Sequence, residues 1–163
     1  MSRLPYTRFL FATDRIARGT LLIICAPNVL TAEELGTIRS ELHDASFVDG
    51  ASTAGWSARE VKKNLQVDIN TESQARLREI VRSAFLRNGM LQAWILPSAM
   101  TQVLFNRYDV GMQYGRHVDA PVMGGLGSAV RSDVAITVFL SDPKNYTGGD
   151  LVVDTNGVEY GFK

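Results

Sequence analysis

His117 and Asp119 stand two residues apart and follow two tyrosines, Tyr108 and Tyr114. Side chains at i and i+2 of a strand share one face of it. An imidazole and a carboxylate on one face can hold two positions around a single metal ion. A second histidine would complete the facial triad that suits non-haem Fe(II). The chain has two histidines, and the other is His43. It falls near the end of a segment with helical spacing, where the helix dipole favours a cation. That position reads as a solvated helix residue, not a ligand. Asp133 and Asp150 are further carboxylates, but no spacing argument brings them to the pair.

The elements that must position these side chains lie in a β-rich second half. Residues 101–108 and 114–119 are strand candidates on either side of a turn. Residues 121–128, with Gly124, Gly125 and Gly127, read as a loop beside the site. Residues 133–140 concentrate Val, Ile and Thr and make the strongest strand, ended by Ser141-Asp142-Pro143. Gly148-Gly149 turns the chain into residues 150–154, and Asn156-Gly157 predicts a hairpin into residues 158–162.

The first half is helical in texture. A short strand over 21–26 stops at Pro27-Asn28. Thr31 and Glu34 make a capping box, and Leu35, Ile38 and Leu42 continue at helical spacing, predicting a helix over 32–45. Residues 47–55 read as an irregular loop, and 61–68 as a weakly patterned strand near the site. Thr71 and Gln74 make a second capping box. Leu77, Ile80, Val81, Ala84 and Phe85 form the apolar face behind it, and Asn88-Gly89 is a stop. The order predicts an α+β fold: N-terminal helices packed on a partial double-stranded β-helix, or jelly roll, without its last strands.

Length and charge narrow the function classes. A chain of 163 residues implies one domain. Seventeen basic residues balance seventeen acidic ones, so there is no basic footprint for nucleic acid. The single cysteine, Cys25, excludes an internal disulfide and a cysteine-based zinc site, and its apolar neighbours predict a buried thiol. No apolar run approaches the roughly 18–20 residues that span a bilayer. Arg3 and Arg8 precede Phe9-Leu10-Phe11-Ala12 in the manner of a leader, but Asp14, Arg15 and Arg18 interrupt it. Residues 1–20 are expected to form a poorly ordered N-terminal extension to a domain over 21–163, in a cytoplasmic protein.

An ordered series of segments resembles the PKHD-type hydroxylases, a bacterial branch of the Fe(II)/2-oxoglutarate dioxygenases related to prolyl hydroxylases. The segments are Leu104-Phe105-Asn106-Arg107-Tyr108, Tyr114-Gly115-x-His117-Val118-Asp119 and Arg131-Ser132-Asp133. Phe139-Leu140-Ser141-Asp142-Pro143 and Tyr146-x-Gly148-Gly149-Asp150-Leu151-Val152-Val153 follow. Upstream, Phe47-Val48-Asp49-Gly50 and Val61-Lys62-x-Asn64-x-Gln66-Val67-Asp68 also fit. The resemblance implies that His117 and Asp119 are iron ligands and that Tyr108 and Tyr114 line a 2-oxoglutarate pocket. It implies Fe(II), 2-oxoglutarate and L-ascorbate as cofactors. The family's second iron histidine and its 2-oxoglutarate arginine belong to segments expected beyond Lys163.

Two functions follow and stay open at this point. One is a hydroxylase acting on an unidentified small molecule or protein, with Fe(II), O2 and 2-oxoglutarate. The other is a truncated, inactive remnant that acts at most as a weak metal-binding or interaction module. Unpaired sheet edges leave a homodimer open. No membrane or nucleic-acid partner is expected.

Overall fold

A computed structural model of the chain describes residues 8–16, 20–124 and 127–163. In chain order it contains β1 (Arg8–Ile16), β2 (Thr20–Pro27), α1 (Ala32–Asp44), β3 (Phe47–Asp49), α2 (Trp56–Arg59), β4 (Lys62–Lys63) and β5 (Leu65–Val67). Then come α3 (Glu72–Arg87), α4 (Gly89–Ile95), β6 (Asn106–Arg107), β7 (Gln113–Tyr114), β8 (Val122–Met123) and β9 (Val130–Arg131). The last strands are β10 (Ala135–Phe139), β11 (Leu151–Thr155) and β12 (Val158–Phe162). This is the expected α+β composition, built from small antiparallel sheets. Among the described residues, no helix is long and apolar enough to cross a membrane.

The chain divides into two compact units. One combines the described part of residues 1–32 with Asp133–Lys163. Its three-stranded sheet has the order β10-β1-β2, so β1 is central, with Leu10 opposite both Cys25 and Thr137. This corrects the expected extension over 1–20, because residues 8–16 are a paired strand and the boundary at residue 20 falls at the start of its hairpin partner. The aromatic and apolar run Phe9-Leu10-Phe11 has strand propensity, and its charged flanks disguise it. Residues 1–7 and 17–19 lie outside the described residues. Cys25 is exposed, not buried as its apolar neighbours suggest.

The hairpin of β11 and β12 turns at Asn156 and Gly157, whose φ values of 53° and 80° are the pair that a two-residue type I′ turn needs. Asp154 Oδ1 accepts the Gly157 N–H at 3.1 Å and fastens it.

The other unit is Glu33–Ser132. Its helices form where capping and periodicity place them. Thr71 Oγ1 accepts the Gln74 N–H at 3.2 Å and donates to the Asp68 carbonyl at 2.9 Å, so one hydroxyl starts α3 and closes the turn before it. Thr71→Ala is expected to cost about 1 kcal/mol, read as a lower urea midpoint with an unchanged slope. Leu77, Val81, Ala84 and Phe85 are buried along α3, with Leu35 and Ile38 of α1, Leu91 of α4, Val67 and Phe105. Glu34 pairs with Arg87 and Glu41 with Arg76, so the start of α1 lies beside the end of α3 and the two helices run antiparallel.

Asn88 does more than stop α3. Its side chain accepts the Leu91 N–H at 3.1 Å and starts α4, which the Asn88-Gly89 signal had read only as an end. The expected loop at 47–55 begins instead as β3, which pairs with β5 to put Phe47 opposite Val67. β5 also pairs with β6, and β4 pairs with β7. The strands expected over 101–108 and 114–119 shrink to two-residue pairings. Val122 and Met123 of the expected loop pair with β9.

Candidate metal centre

The site is built on the pairing of β4 with β7, which sets Lys62 opposite Tyr114. The Gly115 N–H then donates to the Val61 carbonyl at 2.8 Å. A Cβ at Gly115 would meet Val61 Cβ at 3.1 Å, so this close approach suits glycine. Regular strand ends at Tyr114, and the predicted strand through Asp119 does not form. His117 and Asp119 nevertheless meet, because a local hydrogen bond does what the pleat was expected to do. His117 Nδ1 lies 2.7 Å from the Gly115 carbonyl. A carbonyl only accepts, so Nδ1 carries a proton, and in the neutral ring the lone pair is then on Nε2. The imidazole stacks on Tyr114 with ring centroids 3.7 Å apart and planes 11° from parallel. Two contacts therefore fix the ring, and Nε2 faces Asp119 Oδ1 at 3.3 Å.

An acceptor nitrogen and a carboxylate oxygen at that separation repel unless a cation or a proton lies between them. Their types suit a divalent first-row metal such as Fe(II). Donating the other ring N–H to a backbone carbonyl is the usual means of orienting a metal-binding histidine. The pair fits a metal as two of its ligands. Among the described residues, no group of three or more His, Cys, Asp or Glu side chains comes together to hold a metal. His43 is exposed on α1 and bonds Asp44 at 2.9 Å. Asp109 is engaged by Arg107 in a two-point pair with both contacts at 2.9 Å, which holds its carboxyl below the ordinary range.

Tyr114 touches this pair through its stack on His117, and Tyr108 neighbours Tyr114. Burial pushes the Tyr108 phenol up, partly opposed by the Asn64 amide beside it. Burial also pushes the Tyr114 phenol up, and the Asp119 charge adds to it. Both therefore stay O–H donors at neutral pH and can serve a carboxylate.

Sequence reasoning passed over what stands behind them. Lys62, Asn64 and Gln66 are all buried, at 6%, 3% and 0% exposure. Their period-2 spacing was the available signal, since it places three polar side chains on one strand face. Asn64 Nδ2 donates to Asn106 Oδ1 at 3.1 Å, and the Gly50 N–H donates to the Asn64 carbonyl at 2.9 Å. A Cβ at Gly50 would fall on Asn64 Oδ1. Gly50→Ala is expected to push Asn64 away from Tyr108 and to cost about 1–3 kcal/mol as an overpacking change, measurable by thermal unfolding.

The chain is α+β, with His117 Nε2 oriented onto the Asp119 carboxylate. The comparisons with known proteins carry this further. No family model matches the chain. It is 45% identical over 133 residues to a PKHD-type hydroxylase of Acaryochloris marina, covering 82% of this chain and 59% of that protein. It is 42% identical over 142 residues to a PKHD-type hydroxylase of Rippkaea orientalis, covering 87% and 64%. A PKHD-type hydroxylase of Thioalkalivibrio sulfidiphilus is 43% identical over 135 residues, covering 83% and 60%. Over the matched residues, this chain belongs to the PKHD-type hydroxylase family. It spans between 59% and 64% of the length of these relatives.

Proposed function

We propose that the chain carries part of the active site of an Fe(II)- and 2-oxoglutarate-dependent hydroxylase, an oxidoreductase. The observation that carries this reading is the His117 Nε2–Asp119 Oδ1 pair, oriented through the Gly115 carbonyl and the Tyr114 ring. Iron, when bound with 2-oxoglutarate, would supply the oxidising chemistry by which O2 gives one oxygen atom to a substrate C–H and the other to succinate, with CO2 released from 2-oxoglutarate. His117 holds its Nδ1 proton on the backbone, which leaves Nε2 to bind metal. Asp119 brings the charge that a divalent ion needs. Tyr108 and Tyr114 donate their O–H groups to a carboxylate of 2-oxoglutarate. In the same proposal L-ascorbate keeps the metal reduced, the strands belong to a partial jelly roll, and the protein works in the cytoplasm. The substrate is a small molecule or a protein, and a homodimer is compatible with the exposed strand edges.

One observation favours a second reading. No third metal donor joins the pair among the described residues. A metal-binding module without turnover would look the same at these two side chains. The test is succinate formed from labelled 2-oxoglutarate with Fe(II), ascorbate and O2. The hydroxylase reading expects iron-dependent succinate that disappears in Asp119→Ala. Iron binding with no succinate above the iron-free control would favour the module.

A further inference from the structure

A strand with one buried face usually turns apolar side chains inward, but β4, β5 and the residue joining them bury Lys62, Gln66 and Asn64. The intervening Lys63 is exposed and Leu65 is half-buried. Lys62 has three donors to place. Its Nζ lies 3.2 Å from Thr53 Oγ1 and 3.4 Å from Gln66 Oε1, and 5.4 Å from the centroid of the Tyr114 ring. All three partners are neutral, and among the described residues no carboxylate makes an ion pair with it. The Asp49 charge acts on it from beyond contact and partly opposes burial, while its side chain already accepts the Ala51 N–H at 2.9 Å. Burial accordingly pulls the Lys62 ammonium below its ordinary range.

Gln66 has a matching deficit. Its Oε1 accepts from Lys62 Nζ, which can only donate and so sets the amide orientation, and lies 2.7 Å from Thr53 Oγ1, whose one proton is shared with the Gly50 carbonyl. Its Nε2 is then buried with no partner. A buried ammonium with no ion-pair contact among the described residues and a buried amide N–H without an acceptor both cost stability. Packing does not call for either, since apolar side chains of similar volume fill such positions at no loss. What the two groups lack in common is an oxyanion. A carboxylate has the required single charge and two in-plane acceptor oxygens, one for the ammonium and one for the amide. Thr53 is exposed and Tyr114 half-buried, so two of the side chains around the buried pair reach solvent. Tyr114 links the two places directly, with Lys62 over its ring and His117 stacked against it.

We propose that Lys62 and Gln66 form a carboxylate-binding site on the inner face of β4 and β5, and that the hydroxylated substrate carries this carboxylate. The substrate class is then a carboxylate-bearing small molecule or an acidic or C-terminal peptide group. Assignment of the carboxylate to the substrate rests on the hydroxylase reading; the carboxylate site itself does not.

The test is an NMR titration of the 15N-labelled chain without metal or O2. The probes are N-acetylglycine and its uncharged counterpart N-acetylglycinamide. The expected result is a saturable shift of the Gln66 side-chain amide with N-acetylglycine alone. The shift is lost in Lys62→Met, and that variant melts at or above the wild-type temperature. No saturable shift, or an equal one with N-acetylglycinamide, overturns the site. A Lys62→Met variant that melts well below wild type also overturns it, because the lysine would then be structural. If 2-oxoglutarate produces the shift at tenfold lower concentration than N-acetylglycine, the carboxylate is the cosubstrate's and the substrate assignment falls. Comparable or weaker binding supports the assignment. Succinate formation without a carboxylate shift removes this proposal alone, and a shift without succinate removes the hydroxylase reading and the substrate assignment while leaving the carboxylate site.

Discussion

Replacing His117 by alanine is expected to weaken Fe(II) binding by at least about 10–100-fold, the cost usually seen for losing even an outer partner of a ligand. Asp119→Ala should do the same, for a different reason. His117 supplies a neutral nitrogen whose direction is set by the 2.7 Å contact to Gly115 and the stack on Tyr114. Asp119 supplies charge and is held by little else, with its side chain 65% exposed. Asp119→Ala should therefore leave stability within about 0.5 kcal/mol of wild type, which separates a binding defect from a folding one. Asp119→Asn keeps the shape and removes the charge, and should bind nearly as poorly as alanine. Anaerobic Fe(II) titration followed by calorimetry, with an unfolding curve for each variant, checks both halves of the expectation.

Phe85→Ala should have the largest effect on the fold, about 3–5 kcal/mol. Phe85 is 1% exposed and is the largest of the fully buried side chains. It sits at the junction where α3 gives way to α4. There its carbonyl accepts both the Asn88 N–H at 3.2 Å and the Gln92 Nε2–H at 3.3 Å. The carbonyl survives the substitution, so the loss is that of packing, together with the cavity left behind. Leu77→Ala, one turn-pair earlier on the same buried face, should cost about 2–5 kcal/mol. Urea unfolding of the two variants should lower the midpoint without changing the slope. A slope change would instead mean that the unit no longer unfolds in one step.

The helices were legible because their signals are local. The Thr71 cap, the spacing from Leu77 to Phe85, and Asn156-Gly157 each act within a few residues and appear where expected. β1 was not legible, because its strand character depends on partners about 15 and 130 residues away in the sequence. Its charged flanks resemble those of a leader, and no local signal corrects that. The meeting of His117 and Asp119 was legible from their spacing, but for the wrong geometric reason. Strand alternation was expected to align His117 with Asp119, whereas the backbone is irregular there and the Gly115 carbonyl does the aligning. The buried Lys62, Asn64 and Gln66 were visible only as a polar alternation, which a solvated strand face would show equally well. Burial distinguishes the two, and burial depends on tertiary packing. Cys25 failed for the same reason in reverse, with apolar neighbours and an exposed side chain.

The central claim is that His117 and Asp119 together hold the metal, and the chain contains an internal control. His43 also bonds an aspartate, Asp44, at 2.9 Å, but on an exposed helix end with no orienting carbonyl or stacked ring among its described contacts. Substoichiometric Mn(II), a paramagnetic stand-in for Fe(II), can be added to the 13C/15N-labelled chain while both imidazoles are followed by NMR. The account predicts selective broadening of His117, Asp119 and the stacked Tyr114, with His43 still sharp. Equal broadening at His43, or a sharp His117 after a full equivalent of Mn(II), would contradict it.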